Sequence, residues 1–225
     1  MMSSLNIKSP LFEGIEDDDL DAMLSCLNAK AASFPRGDNI VCAGDEISNI
    51  GVVLFGEVNV SKDDAFGRRQ IIANLKAGDT FSEVFVCAGI NESPVTVTAA
   101  TNADILFIDY AFSIKRCTKS CIFHTKLIEN MLSLLAQKNI ALSAKIDYLS
   151  TKSLRSRIAA YLLDESKKQT SDLFYIPFNR NGLADYLGAD RSAISRELSR
   201  MRDDGLIEYW KNSFKIIDRK ALQKV

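Results

Sequence analysis

The stretch that decides the fold is NRNGLADYLGADRSAISRELSRM, residues 179–201. It reads as two short helices joined by a tight turn. Asn179 takes the N-cap of the first helix. Leu183, Ala184 and Leu187 form its apolar face, and Gly188 supplies the left-handed residue that ends it. Asp190 is placed to cap the second helix, its carboxylate accepting the orphan N–H groups of the first turn. Ile194, Leu198 and Met201 follow at helical spacing and turn inward, which leaves Arg191, Ser192, Ser195 and Arg196 facing outward. An inward apolar stripe with an outward basic one is the layout of a helix-turn-helix whose second helix enters the major groove of DNA. An ordinary surface helix hairpin gives no reason for caps, turn and basic residues to agree in register.

Working outward, Asp203-Asp204-Gly205 leads into Leu206–Trp210, then the polar turn Lys211-Asn212-Ser213, then Phe214–Ile217. Two strand-like runs around a short turn predict a β-hairpin, and a hairpin directly after a helix-turn-helix is a wing. The charge distribution agrees. Residues 150–225 hold 15 Lys and Arg against 10 Asp and Glu, a balance of +5. The remainder holds 13 against 19, a balance of −6, although the whole chain carries only −1. A cationic C-terminal domain on an acidic body suits phosphate contact at one end of the molecule. Within it, Arg196 can donate two hydrogen bonds to a guanine edge. Arg180, at the start of the first helix, is expected on phosphate.

Upstream the pattern changes. Leu11 to Asp21 is acidic and amphipathic and predicts a short opening helix. From Phe34 the period becomes two, punctuated by the turns Pro35–Asp38, Ala43–Asp45, Phe55–Glu57, Asp64–Gly67 and Lys76–Asp79. Between them, Ile50–Phe55, Val58–Val60, Gln70–Ile72 and Thr96–Thr98 read as strands of a β-sandwich or jelly roll. From Thr118 to Leu149 the period is helical. Ile128, Leu135, Leu142 and Leu149 recur every seven residues, with Leu132, Asn139 and Ile146 in the complementary position. This is a coiled-coil seam, and an asparagine in such a seam fixes register and two-strand pairing. The other reading is a core helix packed on its own domain. Ser150, Thr151 and Ser153 then offer a hinge and a cap. The expected architecture is α+β: an N-terminal jelly-roll sensor domain (1–117), a long dimerisation helix (118–149) and a winged helix-turn-helix (150–225).

Composition excludes other classes. At 225 residues and 47% hydrophobic the chain suits a soluble globular protein. No apolar run has the length of a membrane span, and the N-terminus lacks signal-peptide regions, so a cytoplasmic location is expected. Five cysteines without paired spacing fit reduced thiols. The chain has no evident nucleophile–base set or Walker-type loop, and His124 is its only histidine, so an enzyme is not expected.

A jelly roll, a long dimer helix and a winged helix in this order resemble the cyclic-AMP receptor protein/FNR family of bacterial transcription regulators. The resemblance runs from Leu11 to Ile217. It rests on Arg36–Ile40, Gly51–Val58, Gly78–Glu83, Leu183–Gly188 and Ser195–Leu198. It implies a homodimer on a two-fold symmetric DNA operator, controlled by a signal at its sensor domain, with RNA polymerase as a further partner. The Ser195-Arg196 pair matches the FNR branch, and Arg191 matches a basic position in the cyclic-AMP receptor branch. Where both branches often carry a glutamate, this chain has Ser192.

The sensor pocket departs from the nucleotide-binding pattern. Cyclic-nucleotide binders carry Gly-Glu followed about ten residues on by Arg-Ser or Arg-Ala, the arginine neutralising the cyclic phosphate. Ser82-Glu83 keeps the glutamate. The arginine position falls on Ser93, followed by Pro94, which has no N–H to offer an anion. On the dimer helix the residues that would meet the purine fall near Leu142 and Ser143. The effector is therefore expected to be something other than cyclic AMP, a small molecule or a redox signal, or to be absent; no cofactor is assigned. Cys42 and Cys87 are expected as small buried residues. Cys117, Cys121 and His124, spaced by four and three, suit a soft metal if the helix has begun. The competing reading is two packing cysteines and a lone surface histidine. Two rival functions start from the same residues: a sensor whose output is protein–protein contact, with a vestigial helix-turn-helix, and a metal- or haem-dependent sensor of the same family.

Overall fold

A computed structural model describes residues 7–63, 69–111 and 122–225. The chain forms two compact units that meet in sequence at Gln137 and Lys138, inside the long helix. The first begins with a 3-10 turn at Pro10–Phe12 and helix α1, Asp17–Cys26. The opening helix thus starts later than the sequence pattern placed it. Gly14, with φ of 74°, lies in a left-handed conformation that no α-helix can continue through.

Eight strands follow: β1 Lys30–Phe34, β2 Asn39–Val41, β3 Asn49–Phe55, β4 Glu57–Asp63, β5 Arg69–Lys76, β6 Thr80–Phe81, β7 Thr96–Ala99 and β8 Ala103–Asp109, with a short helix α2, Glu83–Cys87, after β6. All pair antiparallel in two four-stranded sheets, β1-β8-β3-β6 and β2-β7-β4-β5. One apolar cluster is built from both sheets and includes Val53, Val58, Val60, Phe81, Val97 and Ile105. The opposite face of β3 and β8 carries Ile50, Val52, Leu106 and Ile108. These pack with Leu20, Met23 and Leu24 of α1 and with its C-cap residue Leu27. Burying each such side chain contributes about 1.5–3 kcal/mol. Being covered on both faces, β8 reads as a continuous apolar run, which the search for alternation passed over. The short strands β1, β2 and β6 carry too few residues to show a period. At Gly51 an added Cβ would stand 2.1 Å from the Phe81 ring, so this glycine lets that ring close on the backbone of β3. The turn at Asp64–Gly67 lies outside the described residues.

Helix α3, Ile122–Ser150, carries the heptad residues. Leu127, Met131 and Leu134 are buried in the first unit, whereas Leu132 on the same helix is 62% exposed. In the second unit, Leu142, Ile146 and Leu149 are exposed at 61%, 62% and 40%, and Tyr148 is buried. Asn139 is exposed as well. The helix therefore has a core-facing side and an uncovered apolar stripe.

The second unit continues with α4 Leu154–Lys168, β9 Leu173–Tyr175, α5 Arg180–Leu187, α6 Arg191–Asp203, β10 Ile207–Trp210, β11 Ser213–Ile216 and α7 Arg219–Leu222. Ser153 caps α4, its hydroxyl accepting from Ser156 N at 2.9 Å. The hairpin expected at the wing gains a third strand, in the order β10-β11-β9. At three residues, β9 is too short to show a period. Ile158, Leu162, Phe174, Leu183, Leu187, Ile194, Leu198, Met201 and Phe214 form one core.

Candidate nucleic-acid interface and effector pocket

The helix-turn-helix is α5 and α6. Asn179 caps α5 by accepting from Gly182 N at 2.9 Å. Gly188 ends it at φ 61° and ψ 50°, and an added Cβ would stand 2.9 Å from Leu149 Cδ2. Asp190 occupies the N-cap of α6 with extended backbone, but its carboxylate accepts no capping hydrogen bond. The sequence expectation is corrected there: the position is right and the side-chain contact is not made. Ile194, Leu198 and Met201 are fully buried. Arg191, Ser192 and Arg196 are exposed and Ser195 is half-buried.

Two arginines of α4 hold this pair of helices. Arg157 donates to the Leu187 carbonyl at 3.2 Å and the Gly188 carbonyl at 3.4 Å, at the C-terminal end of α5 where cations are favoured. Arg155 bridges Asp204 at 2.5 Å and Glu197 at 3.3 Å. The hydrogen bond that Arg155 donates to Asp204 is the main cause that raises the Arg155 pKa above its ordinary value. Glu197 is shared between Arg155 of α4 and Arg200 of its own helix, at 3.3 Å from each. Ser199 lies 3.3 Å from the Tyr209 hydroxyl, which ties α6 to the wing.

Arg180 sits differently from the surface phosphate contact that sequence position implied. Its guanidinium carbon lies 5.0 Å from the Tyr209 ring centroid and 5.3 Å from that of Phe214. Burial is the first cause that lowers its pKa, and its Nη1 is a buried atom with no hydrogen-bond partner. Cation–π attraction supplies part of what water would have given. Cross-strand register explains the stack, since Tyr209 pairs with Phe214 across the hairpin. Beside it lies an open groove of about 790 Å³, lined by Tyr175, Asn179, Arg180, Asn181, Arg191, Trp210, Lys211, Asn212 and Ser213. Sequence reading missed Tyr175 and Trp210 as groove residues. The register Trp210↔Ser213↔Tyr175, which puts the two rings on one face, is invisible until β9 is seen to join the sheet.

In the sensor unit, Ser82 precedes α2 in the left-handed region at φ 65°. That backbone strains any residue but glycine. Glu83 is 3% exposed and Ser93 is 2% exposed. The Ser93 hydroxyl donates to the Val95 carbonyl at 2.7 Å, and its backbone bonds Gly44 and Asp45. Ser93 is thus closed on its own loop and offers nothing to an anion. The Ser82 hydroxyl has no hydrogen-bond partner among the described residues. Leu142 and Ser143 are exposed on α3 in the second unit.

Cys117 and Cys121 lie outside the described residues. His124 is 7% exposed, and its Nδ1 has no hydrogen-bond partner among the described residues. It is therefore a buried histidine, which corrects the surface placement in one of the sequence readings. Cys87 packs against the α1 cluster, with Sγ 3.8 Å from Met131 Sδ, and burial raises its thiol pKa. Cys42 and Cys87 are both half-buried rather than enclosed, which corrects the sequence expectation for each. Among the described residues no group of three His, Cys, Asp or Glu is arranged to hold a metal. No helix there is long and apolar enough to cross a membrane.

Two family models match this chain, the cyclic nucleotide-binding domain over residues 31–116 and the Crp-like helix-turn-helix domain over residues 156–225. The chain belongs to the Crp/Fnr family of transcription regulators. This Crp/Fnr regulator is 24% identical over 225 residues to the probable transcriptional regulator flp of Lacticaseibacillus casei, covering 99% of this chain and 98% of that one. Its fold matches that of the catabolite activator protein of Thermus thermophilus, with a TM-score of 0.54 at 23% identity over 96% of this chain and 97% of the other. A CooA variant from Carboxydothermus hydrogenoformans superposes with a TM-score of 0.64 at 18% identity, over 90% and 89% of the two chains.

The two caps of the helix-turn-helix separate in a stability measurement. Asn179→Ala removes a made hydrogen bond and should cost about 1 kcal/mol. Asp190→Ala removes none and should cost clearly less. Urea denaturation followed by circular dichroism gives both values; an equal loss would mean that Asp190 caps α6 in solution.

Proposed function

We propose that this Crp/Fnr regulator acts in the cytoplasm as a homodimer on a two-fold symmetric DNA operator, with α6 as the recognition helix and an effector other than cyclic AMP. The observation that carries the reading is the outward face of α6, where Arg191, Ser192 and Arg196 are exposed above a fully buried stripe. In this reading Arg196 donates to O6 and N7 of a guanine, a contact worth about 1–3 kcal/mol of discrimination. Ser192 and Ser195 face the neighbouring bases with shorter, less selective groups. Arg180 serves affinity more than choice, and its partly buried stack makes it a brace for the wing as well as a phosphate contact. RNA polymerase is the further partner implied by the family. The domain limits 1–117, 118–149 and 150–225 remain those proposed from the sequence.

The dimer is argued from the stripe of Leu132, Leu142, Ile146 and Leu149. A second copy of the same helix covers such a stripe at the spacing of a two-stranded seam. Two recognition helices then read half-sites about 10 base pairs apart, centre to centre. Against cyclic AMP stands Ser93, locked on its own loop, followed by a proline. A buried phosphate there would have no cation from these positions. Ser82, Glu83 and Ser93 of the first unit stay as proposed effector residues, as do, separately, Leu142 and Ser143 of the second.

Three outcomes follow. A Leu142→Glu, Ile146→Glu double variant should run as a monomer in light scattering and bind the operator at least tenfold more weakly, because charge in the seam is costly; a persistent dimer would refute the seam. Calorimetry with cyclic AMP at millimolar concentration should give no saturable heat, and micromolar binding would overturn this account of Ser93. In binding-site selection, Arg196→Ala should lose the guanine preference at one base pair of each half-site, while Arg180→Ala should weaken all duplexes alike. Retention of the guanine preference by Arg196→Ala would show that another residue reads that base.

A further inference from the structure

Trp210 is the chain's only tryptophan, and it stands 77% exposed at the end of β10. Tyr175, 67% exposed, lies on the same face of the wing sheet, separated from Trp210 by Ser213 in the register Trp210↔Ser213↔Tyr175. Two strand spacings place the ring-bearing positions roughly 10 Å apart. Lys211 follows Trp210 directly and is held at φ 51° in a two-residue turn, which presents its side chain at the tip. Arg180 and Arg191 line the same groove, and none of its lining residues is acidic. Large aromatic side chains left this open are expensive in water and mark contact surfaces. The cations decide what kind of partner fits.

We infer that Trp210 and Tyr175 pack on the sugar-phosphate backbone of the duplex flanking the half-site, with Lys211 and Arg191 on its phosphates. The inference rests on the DNA-binding reading above and adds to it a backbone contact made by the wing sheet together with Arg191 at the start of the recognition helix. Charge complementarity selects the occupant, since three cations and no carboxylate face the groove. A spacing of roughly 10 Å matches about three steps of a DNA strand along the helix axis. Rings against deoxyribose faces are sequence-tolerant, so this contact contributes affinity and register without base choice.

The sole tryptophan makes the test direct. The full-length protein is titrated with a duplex carrying the operator obtained by site selection, and Trp emission and the anisotropy of labelled duplex are followed together. The expected result is a change in emission with the same midpoint as the anisotropy. Trp210→Ala should weaken binding about tenfold with base preference and salt slope unchanged, Trp210→Phe should recover part of the loss, and Lys211→Ala should lower the salt slope by about one. A duplex trimmed to the two half-sites should bind wild type and Trp210→Ala alike. If anisotropy saturates while emission stays flat and Trp210→Ala binds as wild type, the inference is wrong and the proposed function stands. If emission instead responds to RNA polymerase, or to protein concentration without DNA, the face belongs to a protein partner and the inference is again wrong. If no duplex binds at all, the proposed function falls and this contact falls with it.

Discussion

Burial of Ile194, Leu198 and Met201 is the constraint on which the rest of the DNA-facing surface depends. Three fully enclosed side chains on one stripe of α6 fix its rotation about its own axis, so the opposite stripe cannot choose what it shows. The ion pairs from Arg155 to Glu197 and Asp204 then act on a helix already oriented. They hold Glu197 and the C-cap residue Asp204 toward α4, while Arg191 and Arg196 stay exposed. Surface pairs of this kind contribute little stability by themselves. Their effect here is on the sign of the exposed charge.

The same logic of two faces runs through the first unit. β3 and β8 are covered on both sides, which makes them the spine of the sandwich and hides their alternation. α3 is covered on one side only. Its apolar residues divide between a buried set, Leu127, Met131 and Leu134, and an uncovered set that includes Leu132, Leu142 and Ile146. The second set is the one that the proposed dimer would cover.

Much of this was legible in the chain because it is local. Asn179, Gly188 and the stripe of α6 depend on residues within one or two turns, and period and capping rules read such features well. What escaped depends on partners distant in sequence. β9 joins the wing by pairing with Ser213, Phe214 and Lys215, about forty residues downstream, so the position of Tyr175 beside Trp210 was out of reach. Arg180 looked like a free surface cation because its two aromatic neighbours lie about thirty residues downstream. Asp190 shows the opposite failure, where a local rule named a contact that the geometry does not make. In the sensor pocket, composition at Ser93 was informative, but the loop that satisfies its hydroxyl came only with coordinates.

The segment between α3 and α4 has the composition of a hinge, yet the structure bridges it. Tyr148 donates to Asp164 at 2.5 Å, Lys145 lies 5.3 Å from the Tyr186 ring centroid, and Leu149 fills the space that Gly188 leaves open. Arg157 closes on the Thr151 carbonyl at 2.8 Å within the segment itself. The last turns of α3 are therefore splinted to the domain that follows them, and a twist applied there is delivered as torque to the whole DNA-reading domain.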